Sequence, residues 1–357
     1  MIGLCIPNLV NAQGCAAPSS EEGVTIWGYL QPEFGVQGLG GLSDNNDATA
    51  SFNFRRMRIG AMGNIPYDFG YYVLLETSQF MNPNQNGPFL LDAFVSYNRL
   101  QNLRVAVGSF KYPFGRELSM PCHGLYTIHR SKVVDEMTAN LNGGNRDLGL
   151  MLLGGSDSTL FTYRVALTNA NGVFATNNNL FDAYALTGRV TVQPVPGLSI
   201  GASARYTQSP PAAEGVEDDD TKFRYGFDAQ YSFKNITLVG EYINGKDEGS
   251  YTEGGGCGGD AVTMTGTNNA NGFYLMAIYR TNSNIEPVYK IENYTTIKSD
   301  GGDIPVENEE KSICQTFGVN YYPNDWTRLQ LNYIYAAEMP DELVDNDMLL
   351  IQLQIRF

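Results

Sequence analysis

The residues whose types and spacing most suggest a functional site are basic, and two of them lie two positions apart in the sequence. Arg56 and Arg58 lie in the stretch RRMRIGAMGN, and a β-strand puts residues i and i+2 on the same face. Arg116, Arg130 and Lys132 follow in a later stretch that lacks this alternation. Guanidinium and ammonium groups stay charged at neutral pH, so these side chains can bind or steer an anion. Their pattern indicates electrostatic selection of a charged solute rather than bond-making chemistry.

Residues for metal binding and covalent catalysis are scarce. The only two histidines, His123 and His129, lie six positions apart, whereas a zinc site needs more such ligands at short spacing. The stretch GGGCGG is followed by neither a Lys-Ser pair nor a helix, so it does not match a phosphate-binding loop. EDDD and DELVDND could bind calcium, although solvated acidic loops are more common. The sequence therefore predicts no enzyme activity, no metal site and no cofactor. The net charge of −15 argues against a nucleic-acid partner.

Alternating apolar and polar residues predict sixteen β-strands. The predicted strands span residues 23–39, 51–65, 69–80, 89–100, 103–114, 147–155, 160–170, 182–193, 198–208, 222–233, 236–246, 271–281, 285–296, 311–322, 327–337 and 347–357. In the last of them, apolar residues recur at Leu349, Ile351, Leu353, Ile355 and Phe357. A terminal strand that keeps this pattern to its last residue suggests pairing on both sides, as in a closed barrel.

The connections between the predicted strands alternate between short and long. PYDF, LQN, PVPG, KN, TNSN and PNDW are tight turns built from turn-forming residues, and the other connections are longer. No apolar run reaches the roughly 18–20 residues of a membrane helix, but barrel strands need only about 9–11 residues. The predicted fold is therefore all-β, a closed sixteen-stranded antiparallel transmembrane β-barrel. The alternative is a large two-sheet soluble fold, which would point many arginines at solvent.

The N-terminal residues indicate export. The stretch MIGLCIPNLV is apolar, and Val10 and Ala12 suit a signal-peptidase site. We therefore predict that residues 1–12 are the remnant of a signal peptide. Residues 13–22 form an N-terminal segment, and residues 23–357 form the transmembrane β-barrel domain.

Cleavage after Ala12 would leave four cysteines, Cys15, Cys122, Cys257 and Cys314. Disulfides persist in exported proteins, and four cysteines allow three pairings. Cys314 lies at the outer end of its predicted strand, and the long connection that carries Cys257 could reach over the barrel mouth. Cys257 with Cys314 is therefore the candidate disulfide, which would close a 58-residue loop. Cys122 would then remain a free thiol.

Several stretches, in order along the chain, resemble one known family. They are RRMRIGAMGN, DAFVSY, VGSFKYPFGRE, HRSKVVDEM, NRDLGLML, NANG and GVNYYPNDWTRLQLNY, and FKYPFG and RDLG are the most specific parts. From about residue 25 to the end, the sequence resembles the phosphate-selective porin O and P family. The resemblance implies a trimeric outer-membrane porin whose third outer loop folds into the lumen. It also implies anion selectivity that rests on basic residues lining the pore.

The composition of the third long connection also fits an inward-folded loop. The stretch 116–146 lacks two-residue alternation and is too apolar for an open surface loop. We predict that it packs against the barrel wall, with a folded cap over the mouth as the alternative. The constriction is then expected between this loop and the wall that carries Arg56 and Arg58. The predicted constriction and lumen residues are Arg56, Arg58, Arg104, Arg116, Arg130, Lys132, Asp135, Glu136, Asp92 and Glu76.

The inner face of the predicted barrel has more basic than acidic residues. Strand parity places eleven basic residues inward, namely Arg56, Arg58, Arg104, Arg164, Arg189, Arg205, Arg224, Arg280, Lys290, Arg328 and Arg356. It places six acidic residues inward, namely Glu76, Asp92, Asp147, Asp228, Glu241 and Glu292. A basic wall in a narrow pore favours anions, while the acidic outer loops would oppose a multivalent anion such as phosphate. The alternative is that the inward arginines pair with the inward acids and line a nonspecific pore.

The predicted function is a water-filled channel for passive diffusion of small hydrophilic solutes and ions, with a modest anion preference at the constriction. The expected location is the outer membrane of a Gram-negative bacterium, as an integral protein. The expected partners are outer-membrane lipid and lipopolysaccharide, small ions or solutes, and, from the resemblance, further copies of the chain in a homotrimer. The alternative is a structural barrel that acts as a surface anchor or adhesion partner and conducts little.

Overall fold

The structure, a computed structural model, contains sixteen β-strands in the residues it describes. It describes residues 23–39, 48–66, 68–78, 89–138, 145–156, 159–170, 172, 182–211, 216–253, 262–300, 308–339 and 346–357. The strands are β1 (Gly23–Leu39), β2 (Thr49–Ile65), β3 (Phe69–Glu76), β4 (Phe89–Leu100), β5 (Leu103–Lys111), β6 (Arg146–Gly154), β7 (Phe161–Thr168), β8 (Tyr184–Val195), β9 (Leu198–Ser209), β10 (Asp220–Phe233), β11 (Ile236–Glu253), β12 (Val262–Tyr279), β13 (Ile285–Asp300), β14 (Asn308–Asn324), β15 (Thr327–Met339) and β16 (Asp347–Arg356). Each predicted strand is present, and most bounds differ from the prediction by a few residues. The predicted signal-peptide remnant, 1–12, and the N-terminal segment, 13–22, lie outside the described residues.

The sheet closes on itself because its first and last strands pair. β1 runs antiparallel to both β2 and β16, and every other strand pairs with its two sequence neighbours. The last residue takes part, since Phe357 N donates to Gly28 O at 3.0 Å and Gly28 N donates to Phe357 O at 2.9 Å. A closed barrel leaves no edge strand with unpaired backbone groups. The predicted closed barrel of sixteen antiparallel strands is confirmed.

Alternation along each strand separates an outer face from an inner face. In β16, Leu353 and Ile355 are 36% and 41% exposed, whereas Gln352 and Gln354 are 1% and 3% exposed. Successive side chains of a strand point to opposite faces of the sheet. The exposed face of the barrel is therefore apolar, as bilayer hydrocarbon requires, and the polar side chains point inward.

The hairpin of β11 and β12 is longer than the sequence predicts. The prediction ends the eleventh strand at residue 246 and begins the twelfth at 271, but β11 reaches Glu253 and β12 begins at Val262. Pairing between the two strands continues without a shift to Glu253 opposite Val262. This part of the hairpin is rich in Gly, Asn, Asp and Thr. This part of the hairpin therefore lacks apolar alternation. Hydrogen bonds between the two backbones extend the hairpin past the apolar band of the barrel.

The connection between β5 and β6 is folded. Residues 112–138, called the 112–138 segment below, contain a 3₁₀ turn at Cys122–Gly124 and a helix α1 at Lys132–Thr138. Its apolar side chains are buried together with side chains of β11, β12 and β13. This cluster includes Tyr112, Phe114, Leu118, Val133, Val134, Met137, Ile243, Tyr274 and Val288. Burial of so many apolar side chains fixes the segment on these three strands.

Within the described residues, no helix has the length and apolar character needed to cross a membrane.

Candidate functional site

The 112–138 segment begins with a turn that favours glycine. Gly115 has a φ of +61°, and a Cβ at this position would lie 2.0 Å from Glu241 Oε1. The Glu241 carboxylate accepts hydrogen bonds from the backbone N–H groups of Arg116 and Glu117, each at 3.0 Å. Glu241 is 3% exposed. A buried carboxylate of β11 therefore holds the start of the segment.

The middle of the segment binds β15. Ile128 N donates to Asn332 Oδ1 at 2.8 Å, and Arg328 Nη1 donates to the carbonyl oxygen of Leu125 at 2.8 Å. Asn332 and Arg328 are 0% and 4% exposed. Backbone groups outside a helix or sheet need such partners when they are buried. Polar inward residues of β15 therefore serve as hydrogen-bond partners for the segment.

Arg58 of β2 joins the segment to a third part of the wall. Its Nε donates to Glu76 Oε2 at 2.7 Å, and its Nη1 donates to Tyr29 Oη at 2.9 Å. The same Nη1 lies 3.1 Å from the Sγ atom of Cys122, which belongs to the segment. The Arg58 guanidinium is therefore fixed by one carboxylate, one phenol and one thiol.

Two further arginines lie beside this contact. Arg56 Nη1 donates to Gln31 Oε1 at 3.1 Å. Arg130 Nη2 lies 3.1 Å from Cys122 Sγ, and its Nη1 lies 3.6 Å from Asp135 Oδ1. The side chain of Asp135 is 45% exposed, so water weakens that ion pair. These three residues, Arg56, Arg58 and Arg130, are called the basic cluster below.

Many basic residues elsewhere on the inner face are paired with acids. Five of the eleven predicted inward basic residues form ion pairs in the described part of the chain: Arg58 with Glu76, Arg189 with Asp228, Arg205 with Asp147, Arg224 with Asp247, and Lys290 with Glu292. Arg146, which the sequence analysis did not include, pairs with Asp92 at 3.0 Å. A close pair adds little net field at a distance. Close ion pairs therefore cancel much of the positive charge that the sequence places on the inner face.

Two of the predicted lumen residues lie apart from the basic cluster. Arg104 is at the start of β5, beside a short turn, where its Nη2 donates to the carbonyl oxygen of Gly155 at 2.6 Å. Arg116 Nη2 donates to Gln230 Oε1 at 2.6 Å, and its Nη1 lies 3.6 Å from Asp228. Strand and loop patterns in the sequence indicate that both residues belong to the lumen group, but they do not indicate how deep in the barrel each one lies.

The predicted residues of α1 face water to different degrees. Lys132 is half-buried, Asp135 contacts Arg130, and Glu136 is exposed. Sequence reasoning did not assign Cys122 or Tyr29 to the constriction. Both contact Arg58 from parts of the chain that are distant in sequence, and no local pattern indicates such a contact.

Both histidines and Glu117 of the 112–138 segment have shifted pKa values. Burial lowers the pKa of His123 to about 4, and the positive charge of Arg356 adds to this shift. Burial also lowers the pKa of His129 to about 3. Burial raises the pKa of Glu117, whose Oε2 accepts the Ser131 N–H at 2.8 Å. The segment is therefore bound to the wall with both histidines neutral at physiological pH.

In the part of the chain that the structure describes, no three His, Cys, Asp or Glu side chains are grouped as metal ligands would be. Cys314 is half-buried in β14. Cys257 lies outside the described residues, so the Cys257–Cys314 disulfide stays a prediction.

The inner face is more accessible at its ends than in its middle. Along β10, Arg224 is half-buried, Gly226 and Asp228 are buried, and Gln230 and Ser232 are half-buried again. The buried middle of β10 lies at the level where the segment binds the wall, because Arg116 contacts Asp228. Along β10, the inward residues are therefore most buried where Asp228 contacts Arg116 of the segment.

A closed barrel of sixteen antiparallel strands, apolar outside and polar inside, defines an outer-membrane channel protein. The model of the family "Phosphate-selective porin O and P" matches residues 28–302. The chain belongs to this family, and it is an integral protein of the outer membrane. A comparison with curated proteins gives no match.

Solved structures share this fold at low sequence identity. An anion-selective porin from Comamonas acidovorans has a TM-score of 0.65 and 12% identity, over 94% of this chain and 99% of that one. OmpT of Vibrio cholerae in its trimer form has a TM-score of 0.64 and 12% identity, over 94% and 99%. The channel DcaP of Acinetobacter baumannii has a TM-score of 0.63 and 12% identity, over 95% and 99%. At this identity the similarity shows a common fold.

Proposed function

We propose that the protein forms a water-filled channel for passive diffusion of small hydrophilic solutes and ions, narrowed by the 112–138 segment inside the barrel. One observation supports this most strongly: the single segment binds Arg58 of β2, Glu241 of β11 and Asn332 of β15. These strands lie on different parts of a closed wall. The interior is the region that lies near all three, so the proposal places the segment in the lumen rather than as a cap over the mouth.

We also propose a modest anion preference at the level of the basic cluster. Arg58 is matched by Glu76, but Arg56 is bound to the neutral amide of Gln31. Arg130 has only the partly exposed Asp135 as a carboxylate partner in the described residues. A low-dielectric wall focuses the field of such charges across a narrow passage. Small anions should therefore enter this passage more readily than cations of the same size.

Arg56 provides a direct test, because its removal leaves no carboxylate without a partner. Arg56→Gln should lower the anion-to-cation permeability ratio about two- to fivefold, since one unit charge acts with roughly 0.5–1 kcal/mol across a watery gap of several ångströms. The measurement is the reversal potential across a planar bilayer in a salt gradient. Arg104→Gln is the matched control, because it removes the same charge beside a short turn. An equal effect of both substitutions would contradict a constriction at the basic cluster.

We infer that residues 1–12 are removed as a signal peptide, and that residues 23–357 form the transmembrane β-barrel domain. We also propose a homotrimer that is surrounded by outer-membrane lipid and lipopolysaccharide. The trimer form of Vibrio cholerae OmpT and the shared fold support the homotrimer. The exposed apolar residues of the strands, such as Leu353 and Ile355, support contact with lipid. Crosslinking in native membranes, followed by mass measurement, tests the number of copies.

One observation favours a second function, a surface anchor that conducts little. Inward residues in the middle of the wall are almost wholly covered, with Asn332, Lys290 and Asp228 0%, 2% and 4% exposed. Such coverage leaves a narrow passage at the depth of the 112–138 segment. An anchor would give no current steps in a planar bilayer, whereas the channel would give small, regular steps.

A further inference from the structure

The thiol of Cys122 occupies an unusual place for an uncharged group. Its Sγ lies 3.1 Å from Arg58 Nη1 and 3.1 Å from Arg130 Nη2, so two guanidinium groups approach one sulfur atom. Cys122 is 4% exposed, and it is a free cysteine. Donors that converge on a buried atom are stabilised most when that atom carries negative charge. The contacts are therefore those expected for a thiolate.

The charges around Cys122 leave a deficit of anions. The charged groups that surround it are Arg56 and Arg58 on β2, Lys111 at the end of β5, and Arg130 in the segment. Lys111 is 7% exposed, and its Nζ donates to the carbonyl oxygen of Met120 at 3.0 Å. Glu76 pairs with Arg58 and Asp135 pairs with Arg130, while the charges of Glu117 and Asp92 also act on Arg130 and Lys111. Asp92 already pairs with Arg146, so five basic residues face four carboxylates, one of them partly exposed, and a further negative charge would be stabilised among them.

A second feature of Arg130 points the same way. Its side chain is 10% exposed. Its Nε is buried and has no hydrogen-bond partner among the described residues. A guanidinium group with an unpaired buried donor is poorly compensated unless its other contacts are charged. Cys122 lies 3.1 Å from Arg130 Nη2 and can supply such charge, in addition to the carboxylates of Asp135, which is partly exposed to water, and Glu117.

The pKa of Cys122 agrees with the geometry. Burial raises the pKa of the Cys122 thiol. The positive charges of Arg58, Arg130 and Arg56 lower this pKa by more than burial raises it, so it lies well below its ordinary value. Neighbouring His123 does not add charge at neutral pH, since burial lowers its own pKa to about 4.

We propose that Cys122 is a thiolate at neutral pH and acts as a fixed anion within the basic cluster, so that it limits the anion preference of the constriction. The selectivity part of this inference rests on the channel function proposed above. The thiolate holds the segment against Arg58 and cancels part of the cluster's field. Cys122 is therefore a specificity-determining residue that the sequence alone marks only as a free thiol.

The ionisation state can be measured without any current. The ultraviolet absorbance of thiolate should differ between the wild type and Cys122→Ser at neutral pH, and the difference should persist on mild acidification. The midpoint should lie below pH 7, well below the ordinary thiol value of about 8.5. Arg130→Gln should move that midpoint upward. A midpoint above neutral pH would overturn the proposal.

A second measurement covers the case in which Cys122→Ser does not fold. The tryptic peptide of residues 117–130 contains Cys122 and no other cysteine. Mass spectrometry of this peptide from alkylated wild-type protein gives the fraction that has reacted at each pH. The pH midpoint of that reaction reports the same ionisation. A midpoint at the ordinary thiol value would again contradict the thiolate.

The selectivity role requires a pair of variants. Cys122→Ser removes the anion and should raise the anion-to-cation permeability ratio about twofold, whereas Cys122→Asp keeps the charge and should retain the wild-type ratio. Cys314→Ser is the control for loss of a thiol elsewhere. Equal ratios for Cys122→Ser and Cys122→Asp would overturn the role in selectivity. A wild type without any conductance would instead contradict the channel function, while the thiolate would still be tested by absorbance.

Discussion

At the residue scale, Glu241 determines where the 112–138 segment leaves the wall. Its two carboxylate oxygens accept the N–H groups of Arg116 and Glu117, and Tyr274 donates to the same carboxylate at 3.1 Å. Glycine at position 115 allows the backbone to approach this closely. The start of the segment therefore depends on one acid that the strand pattern places inward without indicating its partner.

Glu241→Ala should release the start of the segment. The substitution leaves two buried backbone donors unpaired, each at a cost of about 1–3 kcal/mol. We expect larger and noisier single-channel currents, with the barrel itself intact by its heat-dependent gel migration. Glu248→Ala is the matched control, because Glu248 lies on the same strand with its side chain 53% exposed. Quiet currents of wild-type size in Glu241→Ala would contradict this role.

At the element scale, the 112–138 segment is the part of the chain that we propose forms the constriction of the barrel. It packs apolar side chains on β11 to β13 and places its polar backbone against β15. His123 also packs edge-on against Tyr29, with ring centroids 5.2 Å apart. Docking of the segment depends on two buried histidines, His123 and His129, staying neutral, and this makes it sensitive to acid.

Acid should weaken the docking of the segment. The docked state lowers the pKa of His123 from 6.5 to about 4 and that of His129 from 6.5 to about 3. At these two histidines the docked state binds fewer protons than the released state, so their contribution to its stability falls as pH drops from 6.5 towards 4 and 3. The raised pKa of Glu117 acts in the opposite direction. Current noise should rise over this range in the wild type. The double variant His123→Gln, His129→Gln should show a flatter dependence; an unchanged dependence would assign the effect to other groups.

The strands could be predicted from the sequence, but the path of this segment could not. Leu353, Gln354 and Ile355 alternate by a local rule, so their faces follow directly from the pattern. The end of β11 was missed because its residues are polar on both faces. The contact of Cys122 with Arg58 joins residues 64 positions apart, and no periodicity encodes it. The charged residues of the site can be identified from the sequence, but the residues that they contact are determined by long-range packing.

At the scale of the whole molecule, closure of the barrel depends on the last residue. Phe357 exchanges two backbone hydrogen bonds with Gly28, and its ring lies within 2.5 Å of where a Cβ on Gly28 would be. Deletion of Phe357 should lower the stability of the folded barrel by roughly 1–3 kcal/mol. Urea titration followed by gel migration measures this loss. Phe357→Tyr is the control that keeps both hydrogen bonds, and equal stability of the deletion and the wild type would contradict the closure argument.

The net charge of the whole molecule and the local charge of the basic cluster have opposite signs. The acidic outer loops hold a large share of the acidic residues behind the net charge of −15, whereas the basic cluster consists of buried or half-buried arginines of β2 and the 112–138 segment. Charges at the mouth are screened over a Debye length of about 8–10 Å at moderate salt. The cluster should therefore determine selectivity even in a strongly acidic protein.

The most direct test is the current through the purified protein in a planar bilayer under a salt gradient. The wild type should give regular steps with a reversal potential on the anion side. The double variant Arg56→Ala, Arg58→Ala should keep the steps and move the reversal potential towards cations. A wild type that gives no steps would contradict a channel and favour an anchor. Steps whose size and reversal potential are the same in both proteins would contradict a constriction at the basic cluster.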